Sequence, residues 1–449
     1  MLLTIEKLIY GGDGLARIPA EPAASELHSR GKAVFLPFVL AGERVEASLT
    51  EQKPGFARAR AEAIVEPSTH RVAPACPYFG QCGGCHYQHA SYEHQLQIKT
   101  EILRETLRRT AKLDLENEIQ VHPSPPWNYR NRSRLQVQAG PKFAAGYYQM
   151  GSHDLLPVEH CPISSPLINQ GIAALWSSGR AGKVPPGIRE VEFFANADDT
   201  RLLVEVSCGP EARRAAVRTW TEDFCASMPQ VAGLTAFREE PSGAQTAQVK
   251  FFALGANHLT YETRRGSYRV SAGAFFQTNR FLTDKLVEIV TAGESGELAL
   301  DLYAGVGLFS TALACDFHHT FSVESSQTSS ADLSYNQPSN GKAIQASTEQ
   351  YLARADNSGR VEAGNVLPHT LHKPDLVVVD PPRSGLGERV VRLLAKVGAP
   401  RVTYVSCDPA TLARDLVQLL AAGYRVKEVH LVDLFPQTYH LESVVRLAR

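Results

Sequence analysis

A cysteine follows a short apolar run near the C-terminus, in residues 401–409, RVTYVSCDP. The β-branched and aromatic residues predict a buried strand that ends at Ser406, and Pro409 is typical of the first turn of a following helix. Ligands bind at the carboxyl ends of the strands in an open parallel sheet, so we expect Cys407 to lie in a ligand-binding crevice. A thiol in such a crevice is a candidate nucleophile, whereas an isolated buried cysteine usually acts as a small apolar residue.

Three further cysteines are spaced as metal ligands in residues 74–89, PACPYFGQCGGCHYQH. Cys76, Cys82 and Cys85 lie in a loop rich in glycine and proline, which lets the chain wrap closely around one metal centre. Cys161, in EHCPI, is the candidate for a fourth ligand because the sequence offers it no other partner. Four thiolates suit an iron-sulfur cluster or structural zinc, and the spacing alone does not separate the two.

A glycine-rich turn and a carboxylate have the spacing of a nucleoside-binding site. The stretch ELALDLYAGVGLFSTALA predicts a strand over 297–303, a turn at Gly305 and Gly307, and then a helix. Glu324 ends the next predicted strand, 23 residues after Asp301, where a carboxylate is placed to bind both ribose hydroxyls. The turn lacks the GxGxxG pattern of pyrophosphate-binding sites, which favours a nucleoside without phosphate, such as S-adenosylmethionine.

The elements that must position these residues fall into three regions. Residues 266–449 alternate strands with helices and predict a doubly wound parallel sheet that ends in an antiparallel hairpin at the sheet edge. Residues 1–65 alternate short β-rich runs with turns and predict a small β-barrel, with residues 21–31 as a surface loop. Such barrels commonly bind oligonucleotides, and Lys53, Arg58 and Arg60 would give one edge a positive stripe. A solvated strand face explains the charges of these three residues equally well.

The middle region, residues 66–265, is predicted to be a β-rich domain that carries the cysteine loop and one long helix. Basic residues follow Trp127 and Tyr129 closely, among them Arg130, Arg132 and Arg134. This mixture suits contact with phosphates together with base stacking.

Composition limits the classes of protein that fit. A chain of 449 residues is expected to form two to four domains, and its net charge of −1 requires any nucleic-acid surface to be local. Long uncharged apolar runs are absent and Glu6 and Lys7 interrupt the N-terminal apolar residues, so we expect a cytoplasmic protein without membrane contact. In that compartment eight cysteines indicate metal binding, catalysis or burial rather than disulfides.

Six motifs, taken together, resemble the RNA (uracil-5-)-methyltransferases: SAGAFFQTN, DLYAGVG, VES, DPPRSGL, SCDPATLARDL and FPQTYHLESVV. The stretch CPYFGQCGGCHYQHASYEHQLQIK resembles the four-cysteine [4Fe-4S] segment of that family, and the first 65 residues resemble its TRAM barrel. The resemblance implies a class I methyltransferase fold that uses S-adenosylmethionine to make 5-methyluridine in RNA. It also implies that the cluster ligands are Cys76, Cys82, Cys85 and Cys161.

The resemblance implies a division of roles as well. Cys407 is the implied nucleophile for C6 of uracil, and Glu442 is the implied base that removes the C5 proton. The implied cofactor-binding residues are Gln277, Tyr303, Glu324 and Asp380. We expect the helix N-terminus after Cys407 to favour its thiolate, and the target uridine must be unstacked to meet both groups. Arg383, in DPPRSG, either orients Asp380, contacts phosphate or forms a structural ion pair.

Several alternatives stay open. The sequence lacks an acidic residue near Ser347, where one is expected to bind the adenine amino group. A radical enzyme would need a tighter three-cysteine loop, an RNA cytosine C5-methyltransferase shares the thiol chemistry, and a non-catalytic RNA-binding assembly factor would need neither Cys407 nor Glu442. We expect a monomer that acts on ribosomal RNA, because a TRAM barrel with a cluster resembles that branch, and transfer RNA is the alternative substrate.

Overall fold

The computed structural model describes residues 1–18, 31–115, 118–242, 245–358 and 373–449. Within these ranges the strands form a six-stranded sheet, a seven-stranded sheet, a two-stranded hairpin and an eight-stranded sheet. The loop predicted at 21–31 lies outside the described residues except for its last position. Among the helices that the structure describes, none has the length and apolar character that crossing a membrane requires.

The N-terminal sheet consists of short strands, as predicted. They are β1 (Leu2–Thr4), β2 (Lys7–Leu8), β3 (Gly14–Ile18), β4 (Lys32–Leu36), β5 (Arg44–Gln52) and β6 (Phe56–Glu66), in the order β1-β5-β6-β4-β3-β2. Alternate residues of β5 and β6, such as Val45 and Ala57, point into the core, which is the period expected of a strand with one buried face.

The prediction that Lys53, Arg58 and Arg60 give one edge of the barrel a net positive charge is wrong. Lys53 lies 2.8 Å from Glu51, Arg58 lies 3.1 Å from Asp13, and Arg60 lies 3.0 Å from Glu62. Each basic side chain therefore has an acidic neighbour on the same surface, and the pairs largely cancel.

The central region has its own sheet and two covering helices. Its elements are α1 (Tyr92–Ala111), β7 (Gln120–His122), β8 (Arg132–Gln138), β9 (Ala144–Tyr148), β10 (Leu155–Pro157), α2 (Pro166–Arg180), β11 (Ile188–Ala195), β12 (Leu202–Cys208), α3 (Arg214–Ser227), β13 (Val231–Ser242) and β14 (Gln245–Gly255). The sheet order is β10-β9-β8-β11-β12-β13-β14, and only β12 and β13 among these pairs are parallel, because α3 connects them. Side chains from α2 and α3, including Trp176 and Phe224, pack on one face.

The C-terminal region confirms the predicted doubly wound sheet. Its elements are β15 (His258–Thr263), β16 (Gly266–Ser271), α4 (Thr283–Thr291), β17 (Gly296–Leu302), α5 (Leu308–Leu313), β18 (Phe317–Glu324), α6 (Gln327–Asn336), β19 (Gly341–Gln345), α7 (Thr348–Ser358), β20 (Leu376–Val379), α8 (Gly387–Val397), β21 (Arg401–Ser406), α9 (Pro409–Ala421), β22 (Arg425–Val432) and β23 (Glu442–Ala448). The sheet order is β19-β18-β17-β20-β21-β23-β22-β7. The central strands are buried on both faces, as parallel strands covered by helices must be.

Two elements of the predicted central domain join the C-terminal sheet. Strand β7 pairs with β22 in parallel, so the β22–β23 hairpin is confirmed but its predicted place at the edge is wrong. Helix α1 packs on α9, and its buried residues Ile98, Leu103 and Leu107 share one core with Leu416. The expected domain of residues 66–265 therefore contributes both a strand and a helix to the C-terminal layers.

Candidate active site

One cavity, the main cavity, lies at the carboxyl ends of the parallel strands and has a volume of about 680 Å³. All six predicted catalytic and cofactor-binding residues line it: Gln277, Tyr303, Glu324, Asp380, Cys407 and Glu442. Its size is in the range of small-molecule sites. The sequence-based grouping of these residues is thus reproduced in space.

The Gly-rich turn after β17 forms one wall of the main cavity. Glu324 accepts hydrogen bonds from the backbone amides of Gly305, at 2.9 Å, and Ser326, at 2.6 Å. Tyr303, with φ of 63°, is a non-glycine residue in the left-handed region, and Gly307 follows at 96°. Such a conformation is costly for tyrosine and is typical of ligand sites. The turn therefore fixes the Glu324 carboxylate beside an open backbone surface.

The acidic residues Asp380 and Glu442 line the cavity, and the buried Asp301 lies outside its lining. Asp301 is fully buried and accepts a 2.5 Å hydrogen bond from the Ser310 hydroxyl, and burial raises its pKa to about 7. Burial, followed by the charge of Asp301, also raises the pKa of Asp380 to about 7. Burial and Asp380 raise the pKa of Glu442 well above its usual range. This part of the cavity favours a cationic ligand, because a positive charge would offset the clustered carboxylates.

Cys407 follows β21 directly and faces the same carboxyl groups. Burial first, and then the charges of Glu442 and Asp380, raise the pKa of its thiol to about 12. We expected the N-terminus of α9 to favour the thiolate of Cys407. That expectation is wrong for the protein without a bound ligand. The carboxylate of Asp408 accepts hydrogen bonds from the first amides of α9, at 3.0 and 2.9 Å, and its charge raises the pKa of Cys407 less than burial, Glu442 and Asp380 do.

Two further residues complete the rim: Arg383, which the sequence singled out, and His440, which it did not. Arg383 lies with one guanidinium nitrogen 3.4 Å from His440 Nε2, and its charge opposes the raised pKa values of Cys407 and Glu442. Burial lowers the pKa of His440 to about 3, so its ring is neutral. The position of His440 two residues before Glu442 was the available signal.

The segment between β22 and β23, residues 433–441, is called the connecting loop. Lys99 of α1 donates hydrogen bonds to Asp433, at 2.6 Å, and to the carbonyl of Phe435, at 2.9 Å. The amides of His86 and Tyr87 both donate to the carbonyl of Gln437 at 2.9 Å. The N-terminal half of the chain therefore holds the loop that leads into Glu442.

The four predicted cluster cysteines line a second cavity, the cysteine cavity, with a volume of about 450 Å³. All four are free of disulfides. Burial raises the pKa values of Cys82 and Cys85 to about 11 and about 12, and the neighbouring Cys161 contributes to both shifts. Gly83 packs tightly, since a Cβ there would lie 3.3 Å from the carbonyl oxygen of Tyr148.

The cysteine cavity brings four thiols to one space. In the described ranges, no three histidine, cysteine, aspartate or glutamate side chains have the arrangement that holds a metal ion. A single zinc draws its four thiolates to one point, whereas a multi-iron cluster places each thiolate on a different iron. Four thiols are the donor set of both groups.

The predicted RNA-contacting run at 127–134 is largely internal. Tyr129 is fully buried and donates a 3.1 Å hydrogen bond to the carbonyl of Pro436. Arg132 donates to the carbonyl of Ala274, at 2.7 Å, and Arg134 bonds to Glu192, at 2.9 Å. The expectation of RNA contact is therefore wrong for Tyr129, whereas the side chain of Arg134 is 55% exposed.

Comparisons with known proteins agree with this architecture. A family model described as tRNA (Uracil-5-)-methyltransferase matches residues 253–449, and a TRAM domain model matches residues 1–61. An uncharacterized RNA methyltransferase of Aquifex aeolicus is 32% identical, with 99% of this chain and 97% of that protein covered. One of Streptomyces coelicolor is 33% identical, with 93% and 88% covered.

A solved structure shows the same fold. The crystal structure of Pyrococcus abyssi tRNA (uracil-54, C5)-methyltransferase in complex with S-adenosyl-L-homocysteine superimposes over 100% of both chains, with a TM-score of 0.73 and 21% identity. From the two family models, the full-length relatives and the cavity at the strand ends, we conclude that this chain belongs to the S-adenosylmethionine-dependent RNA (uracil-5-)-methyltransferase family and carries an N-terminal TRAM domain.

Proposed function

We propose that this enzyme methylates C5 of a uridine in RNA through a covalent bond between Cys407 and C6 of the base. The observation that carries the proposal is the placement of Cys407 and Glu442 in one cavity with four candidate cofactor-binding residues. A thiol and a general base on the same ring are what this substitution requires, since C5 of uracil is a weak nucleophile.

The residues of the main cavity fit S-adenosylmethionine. When bound, this cofactor supplies the methyl group and carries a sulfonium charge. Glu324 would bind the ribose hydroxyls, Tyr303 and the Gly-rich turn would line the methionine pocket, and Gln277 would contact the methionine end. Asp380 would lie near the positive charge, which suits a carboxyl group in a crowded acidic site.

The Cys407 thiolate forms a bond to C6, and the displaced electron pair makes C5 an enolate carbon. C5 then takes the methyl group, and Glu442 removes the remaining C5 proton. The electron pair of that C–H bond restores the C5–C6 double bond, and the C6–S bond breaks to return the thiolate.

Electrostatics support these two roles. The raised pKa of Glu442 strengthens it as a base for a carbon acid. Ionisation of Cys407 is unfavourable beside charged carboxylates, but a cation in the cavity would relieve that cost. The guanidinium of Arg383 lowers the pKa of both residues. It therefore favours the thiolate of Cys407 and the ionised form of Glu442 that can accept a proton.

We further propose that Cys76, Cys82, Cys85 and Cys161 hold a [4Fe-4S] cluster. The four-thiol lining and the size of the cysteine cavity support it. Anaerobic purification should give a brown protein with about four iron and four sulfide per chain. A colourless protein with one tightly bound zinc would contradict the cluster.

Ribosomal RNA is the proposed substrate, because a TRAM domain combined with a four-cysteine segment resembles that branch of the family. Transfer RNA is the second candidate, since both the matching family model and the Pyrococcus abyssi protein are named for it. We propose that the enzyme acts as a monomer.

The test uses RNA that contains 5-fluorouridine. Fluorine cannot leave C5 as a proton, so the mechanism must stall with RNA attached to Cys407. Anaerobically purified enzyme is incubated with S-adenosylmethionine and fluorinated ribosomal or transfer RNA, and the adduct is detected by denaturing gel and mass spectrometry. Cys407→Ala is the control and should give no adduct. If wild type binds the cofactor but traps neither RNA, the uracil mechanism is wrong.

A further inference from the structure

A third cavity, the barrel cavity, lies where the TRAM domain meets the cysteine loop, and it has a volume of about 370 Å³. Its walls include Tyr10, Gly12, Phe35, Phe38, Arg58 and His86. It shares no lining residue with the main cavity or the cysteine cavity. The proposed chemistry therefore does not account for it.

Aromatic rings form much of this lining. Tyr10, Phe35 and Phe38 are each only partly buried, so ring surface remains available to the cavity. Phe38 has a φ of 62°, which is costly for a bulky residue. Its carbonyl accepts a 2.9 Å hydrogen bond from Arg71, and its ring lies 4.9 Å from that of Phe79. A strained aromatic held in place at a cavity is typical of a ligand site.

The charges of the barrel cavity nearly cancel. Arg58 and Asp13 form a 3.1 Å ion pair in the lining, which disfavours binding of a lone phosphate. His86 also lines the cavity, and its buried Nδ1 has no hydrogen-bond partner within the described part of the chain. Aromatic faces with little net charge match a neutral planar heterocycle.

The barrel cavity lies directly beside the nucleophile. Tyr10 lines it, yet the Tyr10 hydroxyl donates a hydrogen bond to the carbonyl oxygen of Cys407 at 3.4 Å. The rings of Tyr10 and His86 lie 5.6 Å and 4.5 Å from the ring of Tyr439, on the connecting loop. An RNA strand whose target base occupies the main cavity therefore passes close to the barrel cavity.

We propose that the barrel cavity binds, by stacking, the base of an unpaired nucleotide that neighbours the target uridine. This inference rests on the proposed function and deepens it, because it assigns the enzyme a second base-binding site. A sequence-tolerant stack would help to hold the RNA strand while the target base is unstacked. Stacking on an aromatic side chain is worth enough to be measured one base at a time.

The experiment combines RNA and protein changes. A short RNA that wild type methylates receives an abasic site at each of the three positions on either side of the target. Its affinity is measured for wild type, Phe35→Ala, and Phe35→Leu, which keeps apolar volume without an aromatic face. Tyr335→Ala is the matched control, because Tyr335 is 70% exposed and lines none of the three cavities.

In wild type, an abasic site at one of these positions should weaken RNA binding by about 10-fold. In either Phe35 variant, the same abasic site should weaken RNA binding little beyond the loss that the protein substitution already causes. Tyr335→Ala should retain the full abasic effect. If, at every position, the loss of affinity from the abasic site adds fully to the loss from the Phe35 substitution, the proposed base-binding site in the barrel cavity is wrong. Absence of methylation of any RNA by wild type would instead contradict the proposed function, so the two failures are distinguishable.

Discussion

The hydroxyl of Tyr10, in the TRAM domain, donates a hydrogen bond to the carbonyl oxygen of Cys407 at 3.4 Å. These residues are almost 400 positions apart in the chain. Cys407 stands between β21 and the Asp408 cap of α9, so its backbone is held from three sides. The TRAM domain thus touches the backbone of the proposed nucleophile.

Replacement of Tyr10 by phenylalanine should slow formation of the RNA adduct without weakening RNA binding. The ring stays in place, whereas the hydrogen bond to Cys407 is lost. We expect a decrease of about 3-fold to 10-fold in the single-turnover rate, as for one ordinary hydrogen bond. The measurement is adduct formation on 5-fluorouridine RNA at saturating enzyme. An unchanged rate would mean that Tyr10 does not position the nucleophile.

Replacement of Glu442 by glutamine should trap the enzyme on ordinary uridine RNA. Methyl transfer to C5 proceeds, but the C5 proton stays and the C6–S bond cannot break. A denaturing gel should show an adduct that forms in the presence of S-adenosylmethionine and increases over time. The double variant with Cys407→Ala should show none. Turnover of Glu442→Gln at the wild-type rate would assign the base to another residue.

The thiol of Cys407 should react slowly with iodoacetamide at neutral pH when no cofactor is bound. Its pKa is raised to about 12, so the thiolate fraction and the rate should keep rising from about pH 7 to pH 11. Asp380→Asn removes a negative neighbour, lowers this pKa and should speed alkylation several-fold at about pH 9. Mass spectrometry of the Cys407 peptide gives the rate, with the exposed Cys315 as internal control. A plateau below about pH 9 would contradict the raised pKa.

Replacement of Lys99 by methionine should destabilise the protein strongly. Lys99 is 0% exposed and Asp433 is 1% exposed, so the variant leaves a buried carboxylate without a cation and with only the 3.0 Å hydrogen bond from the Tyr92 hydroxyl to its side chain. We expect the free energy of unfolding to fall by about 3–5 kcal/mol in urea titrations. Lys99→Met with Asp433→Leu should recover most of the loss. Arg60→Met, which breaks a surface pair with Glu62, should cost less than about 1 kcal/mol.

The sequence was sufficient to group the main cavity residues. Glu324, Asp380 and Cys407 each end or follow a predicted parallel strand, and such strand ends meet at one edge. The roles of Gln277 and Glu442 depended on the family resemblance, because neither residue ends a strand of the parallel series.

Contacts between residues far apart in the chain could not be predicted from the sequence. The addition of β7 to the sheet depends on its pairing with β22 about 300 residues later, and three residues give little periodic signal. The raised pKa of Cys407 depends on burial first and then on the charges of Glu442 and Asp380, all of which tertiary structure sets. The helix N-terminus alone predicted the opposite effect, because the sequence does not show this burial or these neighbours.

The packing of α1 on α9 constrains the order in which the parts of this protein can fold. During synthesis, α1 emerges about 300 residues before α9, so α9 cannot cover its apolar face until that helix has been made. A fragment cut at the start of the C-terminal family match would lack α1 and β7, and would leave the surface of α9 uncovered. Such a fragment should aggregate, whereas addition of residues 92–122 as a separate peptide should restore its solubility.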